Sequence, residues 1–341
     1  MGLELIGIDL AKNVFHLHGV DGRGREQFRK RVSRSEVLSS LRGYRPCRVV
    51  MEACAGSNYW AREIESLGHQ TQLIAPQYVA PFVRRNKTDS KDAEAVCVAA
   101  RQPTMRYVPK KSVAQQDLQN LHRVRERMVK GRTALVNEIR GLLLEYGVTI
   151  AQGRRVFAKT FCEILSRESK RLTSLAYETF QELWSEYLVL EKRIKALEAK
   201  IKLISKRHPV CVRLMKIPGV GYLTATAIIA AVGDAKVFRN GREMAAWLGL
   251  TPLEYSTGGK QRLLGISKRG DSYLRKLLIH GARITLRYLS RRNDRSSVWA
   301  ADLMKRKGIN RTAVALANKN ARVIWALISR DEEYRSFPLA A

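Results

Sequence analysis

A chain of 341 residues, 45% hydrophobic and 27% charged, is long enough to bury two cores and too apolar to be disordered. Its 62 Lys and Arg against 31 Asp and Glu leave a net charge of +31, which points to a polyanionic partner, nucleic acid first. The basic residues run through the whole chain rather than along one amphipathic helix, and five scattered cysteines (Cys47, Cys54, Cys97, Cys162, Cys211) form no CxxC pair; a membrane-surface protein, a disulfide framework and a zinc module are all disfavoured.

The opening stretch, MGLELIGIDLAK, lacks the basic then apolar pattern of a signal peptide, and the longest apolar run, Leu223 to Val232, is too short to span a bilayer. A cytoplasmic protein with no membrane partner is expected. Leu3 to Asp9 reads as a buried strand, and Val14 to Val20 as an alternating one. A turn at 21–24 then leads to a third, basic strand through Val32. A helix is predicted from Ser35 to Leu41 with Ser35 as its N-cap. Cys47 to Ala53 is a short apolar strand, and Ser57 caps a helix that Gly68 stops. Gln70 to Ala75 is the next strand, closed by Pro76. Thr88 opens a helix through Ala100, ended by Pro103. Three hairpin-linked strands followed by alternating helix and strand is the element order of a ribonuclease-H-like fold.

Beyond residue 103 the pattern turns helical. Val113 to Tyr146 is helical and basic. From Ala176 to Ile204 an apolar seam (Ala176, Phe180, Leu183, Tyr187, Leu190, Ile194, Leu197, Ile201, Ile204) steps by four and three residues. Such a seam predicts either a coiled coil or a helical hairpin in which the Val113 helix folds back. Ile217 to Gly221 (IPGVG) enters a helix through Val232. Its glycines, Gly219 and Gly221, would turn backbone N–H groups outward to hold a DNA phosphate, as in helix-hairpin-helix modules, or would simply join two helices. After Pro252 comes a Gly- and Lys-rich loop, then a helix from Tyr273 to Leu289 and further basic helices.

Four acids stand out in a chain poor in acids. Asp9 ends the first strand and Glu52 the fourth, while Asp89 and Asp92 sit three apart in the first turn of the Thr88 helix, on one face. Each alone has an ordinary use as a cap or a complement to the helix dipole. Together, at converging element ends, they would repel one another unless they held Mg2+, and two ions about 3.5–4 Å apart would clamp a phosphodiester displacement. Glu94 is the nearest stand-in for Asp92 but lies off the shared face.

These residues carry a resemblance. GIDLAKNVF, the MEA strand end, NKTDSKDAEA, IPGVG with TATA after it, AAWLGLTP, STGGK and ISKRGDSYLRKLL resemble the DEDD transposases of bacterial insertion sequences. That group is related to the Piv/MooV invertases, and within it the chain is similar to recombinases guided by a bridge RNA. The resemblance implies a RuvC-like (ribonuclease-H-like) domain over 1–103, a helical coiled-coil linker over 104–208, and a mainly helical transposase domain over 209–341. It places the DEDD acids on Asp9, Glu52, Asp89 and Asp92, and a nucleophilic serine in the loop after LTP. Gapless counting from Pro252 puts that serine on Thr257, whereas a primary hydroxyl is the less hindered attacker and favours Ser256; Ser256 is the preferred assignment and Thr257 the alternate.

Lys260, Arg262, Lys268, Arg269 and Arg275 lie close by in sequence, suited to charge building on a phosphate. The expected activity is Mg2+-dependent cleavage and exchange of double-stranded DNA, with a bridge RNA as guide and a dimer or tetramer as the working assembly. The domains lie far apart in sequence, so a composite site needs docking within or between subunits. The competing expectations are a metal-dependent nuclease or junction resolvase using water, and a non-catalytic nucleic-acid-binding protein.

Overall fold

The computed structural model of the chain describes residues 2–83 and 89–336, for residues 89 and 90 the backbone only. It divides into two compact units, residues 1–113 and 114–341.

In the first unit the described residues form β1 (Leu3–Asp9), β2 (Val14–Asp21), β3 (Glu26–Ser33), α1 (Val37–Arg42), β4 (Arg48–Glu52), α2 (Ser57–Glu65), β5 (Gln70–Ile74), α3 (Pro76–Val79), α4 (Asp89–Ala100) and β6 (Tyr107–Val108). The sheet order is β3-β2-β1-β4-β5-β6. The first three strands are an antiparallel meander, β4 and β5 join parallel to β1, and β6 closes the far edge antiparallel to β5.

Successive side chains on a strand point to opposite faces, and the core follows that rule. Ile6, Ile8, Val49, Met51 and Leu73 pack with Val37, Leu41, Trp60, Ala61 and Ile64 of α1 and α2. Leu5, Val50 and Ile74 pack on the other face with Val79 of α3 and Ala95, Val96, Ala99 and Ala100 of α4. By parity, Gly7 and Asp9 on β1 and Glu52 on β4 belong to the α4 face.

Among its described residues the second unit is helical apart from one hairpin: α5 (Val113–Leu144), α6 (Arg154–Arg167), α7 (Ser174–Arg207), α8 (Pro209–Leu214), α9 (Tyr222–Val232), α10 (Gly241–Trp247), β7 (Pro252–Glu254), β8 (Leu263–Ile266), α11 (Ser272–Arg287) and α12 (Arg295–Ser329). It has two cores. One joins α5, α6 and α7 through Leu135, Ile139, Leu143, Phe157, Phe161, Phe180 and Tyr187, and includes Phe161 and Tyr187, both stacked on the Trp184 indole. The other gathers α8 to α12 around Ile228, Met244, Leu278, Leu316 and Ile324.

The seam from Ala176 to Ile204 therefore lies within one 34-residue helix, and its first half faces α5 and α6 of the same chain. Farther along, Arg125 of α5 donates two hydrogen bonds to Glu198 of α7 at 2.9 and 2.5 Å, and Arg132 reaches Glu191 at 2.7 Å. This is the hairpin alternative of the heptad pattern. Leu183 and Leu190 also pack against this intrachain core; of the seam, Leu197 and Ile204 are half-buried outside it.

Several local expectations are corrected. Ser35 does not cap α1; its N-cap is Glu36, whose carboxylate turns back to accept from the Ser33 amide and hydroxyl. Ser57 does not cap α2 either: its hydroxyl donates to the Cys54 carbonyl, and the N-cap is Gly56 at φ 88°. Pro76 begins a short helix rather than only closing β5. Thr88, expected to open α4, lies outside the described residues. The Gly- and Lys-rich loop after Pro252 is a β-hairpin.

Candidate carboxylate centre and hydroxyl hairpin

The β1–β4 register pairs Ile8 with Met51, so Asp9 and Glu52 are the next residues on neighbouring parallel strands, at the same end and on the same face. Adjacent strands run about 4.8 Å apart. Both acids are half-buried. Their charges converge on the Cys54 thiol, whose pKa is pushed up by burial first and then by Glu52 and Asp9.

The orientation of α4 brings its start to this end. Near its C-terminus, the Ala100 carbonyl accepts from Arg48 at the beginning of β4, and Arg101 donates to the Gly22 carbonyl in the β2–β3 turn. The helix thus runs against β1, and its first turn, with Asp89 and Asp92, projects toward the end of the sheet that carries Asp9 and Glu52. Gly7 permits the close approach: a Cβ there would stand 2.5 Å from the Ala93 carbonyl oxygen and 2.7 Å from Cys97 Sγ. Asp92, immediately before Ala93, is half-buried; for Asp89 the place at the start of α4 is described. Glu94 faces elsewhere, ion-paired with Arg29 of β3 at 3.1 Å.

The second cluster lies in residues 250–270. Its hairpin is anchored at the base, where the Lys268 amide donates to the Gly249 carbonyl at 3.3 Å and the Ser267 amide to the Thr251 carbonyl at 2.8 Å. Gly249 at φ 70° and Gly270 at φ 80° allow the backbone of 268–270 to lie against the end of α10, where any Cβ would collide with the carbonyls of Arg269 and Trp247. From this base β7 and β8 extend to a tip at Thr257–Lys260, where the Lys260 amide donates to the Thr257 carbonyl at 3.0 Å. The two central residues, Gly258 and Gly259, have φ of 55° and 75°, the positive pair that a type I′ hairpin turn demands.

Ser256 and Thr257 are both exposed, and Thr257 is bridged to Lys260 across the tip. The Ser256 hydroxyl donates to Glu254 Oε1 at 2.6 Å and accepts from the Arg262 amide at 3.3 Å. Gln261 Nε2 donates to the same Glu254 oxygen at 3.3 Å. These hydrogen bonds, that of Ser256 first, hold the Glu254 carboxyl below its ordinary range.

Lys260, Arg262, Lys268 and Arg269 are exposed around the hairpin and its base. Arg275 instead gives Nη1 to the Leu248 and Arg269 carbonyls, 3.2 Å each, and so braces the turn below the hairpin. Gly219 (φ 85°) packs its turn against α11, where a Cβ would meet the Gly281 carbonyl at 2.7 Å; Gly221 is the exposed N-cap of α9. The plain helix-joining role thus accounts for Gly219, and of the two glycines Gly221 keeps an outward-facing place.

Two residues escaped the sequence reading. His16 sits opposite Asp9 in the β1–β2 register, within cross-strand reach. Glu254 is an acid two residues before Ser256, a signal visible only once that segment is known to be a strand.

Comparisons with known proteins match both halves of the chain. A DEDD transposase model of IS110 elements matches residues 6–148, and the model described as transposase IS116/IS110/IS902 family matches residues 211–297. The chain is 48% identical to a probable family 20 transposase of Pseudomonas aeruginosa, over 98% of this chain and 99% of the relative. It is 46% identical to the transposase for insertion sequence element IS1111A of Coxiella burnetii, over 98% and 92%. With the transposase for insertion sequence element IS1328 of Yersinia enterocolitica the identity is 39%, over 96% and 97%.

Proposed function

Because this chain belongs to the IS116/IS110/IS902 family of transposases, we propose that it moves an insertion sequence by metal-dependent cleavage and exchange of double-stranded DNA, with Ser256 as nucleophile. Residues 1–103 are then a RuvC-like, ribonuclease-H-like catalytic domain, 104–208 a helical linker and 209–341 the domain that carries the nucleophile. The observation that supports the reading best is the convergence of Asp9 and Glu52, at neighbouring strand ends on the face that α4 covers, with the start of α4.

The donor set is all carboxylate oxygen, which suits a hard divalent cation. Asp9, Glu52, Asp89 and Asp92 would hold Mg2+, as one ion or two, and the bound metal would neutralise charge on the scissile phosphate. Ser256, with Thr257 as alternate, presents its hydroxyl at the exposed end of a hairpin held by backbone hydrogen bonds at its base. Lys260 and Arg262 flank it and stabilise the charge that builds on the phosphate. A bridge RNA as guide and a homo-oligomer as working assembly complete the proposal; the charge of +31 accommodates two nucleic acids, and half-buried Leu197 and Ile204 on α7 offer apolar surface for self-association.

Asp9→Asn and Asp92→Asn test the metal assignment. Each removes a ligand charge and changes little in volume, so strand cleavage in Mg2+ should fall below detection while the circular dichroism spectrum and DNA binding persist. Cleavage at the wild-type rate in either variant refutes the assignment.

A further inference from the structure

The hydrogen-bond pattern around Ser256 differs from that of an ordinary turn serine. Its hydroxyl uses both of its capacities at once, donating its proton to Glu254 Oε1 at 2.6 Å and accepting the Arg262 amide at 3.3 Å. The short distance is that of a charge-assisted O–H···O⁻ bond. Ser256 and Glu254 are thus in direct contact, and Gln261 from the returning arm of the hairpin pins the same carboxylate oxygen at 3.3 Å. Of the two hydroxyls it is that of Ser256 which bonds this carboxylate; Thr257 lies at the tip, bridged to Lys260.

Resting on the reading of Ser256 as nucleophile, we propose that Glu254 is its general base. The Glu254 carboxylate takes the hydroxyl proton as Oγ closes on phosphorus. The Oγ–P bond forms and the P–O bond to the departing strand breaks; the departing oxygen takes a proton from water. In rejoining, the steps reverse: a DNA hydroxyl attacks the phosphoserine and gives its proton to water, and Ser256 Oγ leaves, taking a proton that passes from water through Glu254. One carboxyl therefore serves as base in cleavage and as acid in resealing, and it selects Ser256 over Thr257.

The test uses the full-length chain with its copurified nucleic acid and a duplex carrying a bridging phosphorothiolate at the scissile position. Sulfur leaves without protonation, so the rate of adduct formation reports activation of the nucleophile alone. Glu254→Gln, which keeps the shape of the side chain, should slow the adduct by about 10²–10⁴-fold, the usual contribution of a general base. Glu254→Ala should be equally slow and be partly restored by added formate, which a structural role would not allow; Ser256→Ala should not respond to formate. Salt-dependent DNA binding of each variant checks folding. An adduct on Ser256 that forms at the wild-type rate in Glu254→Gln overturns the general base and leaves the serine reading intact. An adduct mapped to Thr257, or none, overturns the serine reading and the general base with it.

Discussion

His122 of α5 is 3% exposed, with Nδ1 3.0 Å from the Tyr273 hydroxyl and Nε2 3.0 Å from the Thr226 hydroxyl, so one ring ties α5 to α11 and α9. Burial, aided by the nearby Arg125 charge, pushes its pKa down to about 4. The folded chain keeps it neutral where the unfolded chain, with an ordinary histidine pKa of 6.5, binds a proton. Its contribution is therefore fully present above pH 6.5 and is lost as pH falls toward 4. Moving from about pH 7.5 to about pH 5 should cost roughly 2 kcal/mol through this residue. Urea unfolding at both pH values should show His122→Gln to be less acid-sensitive than the parent by that amount; equal sensitivity would mean the ring is not buried neutral. Neither this role nor that of Glu254 was legible in the sequence: the histidine's partners come from other helices, and Glu254 meets Ser256 only once the segment is extended. Asp9, Glu52 and Asp92 were legible as candidates because acids are scarce here and these three stand at element ends.

At the scale of elements, Gly7 decides whether α4 can lie on β1. A strand glycine ordinarily weakens its strand, so alanine would be neutral or favourable if space allowed. Here the Ala93 carbonyl and Cys97 Sγ occupy that space. Gly7→Ala should destabilise the chain by about 1–3 kcal/mol and reduce cleavage by displacing the start of α4 from Asp9 and Glu52. Chemical denaturation and a cleavage assay check both, and an unchanged midpoint would contradict the close approach. Of the strands β1 to β5, β2 was readable from alternation, β1 and β4 as short apolar runs, and β3 and β5 from the turn and proline that bound them; α7 was readable from its seam. The two-residue β6 is too short to carry a period and exists through its pairing with β5. The β7–β8 hairpin is largely exposed on both faces, so it has no apolar alternation to betray it. The caps at Ser35 and Ser57 failed because each serine found a local partner outside the helix.

At the scale of the molecule, the family and its DNA partner were legible from charge and motifs. Whether the α7 seam closes within the chain was not, because a heptad pattern is the same for an intrachain and an interchain partner. No described helix is long and apolar enough to cross a membrane. The most direct test of the account is a strand-exchange assay with the purified chain, its copurified RNA, and donor and target duplexes in Mg2+, read by sequencing the joined products. The account predicts recombinant junctions that disappear in both Asp9→Asn and Ser256→Ala; cut but unjoined ends, formed equally well by Ser256→Ala, would contradict it.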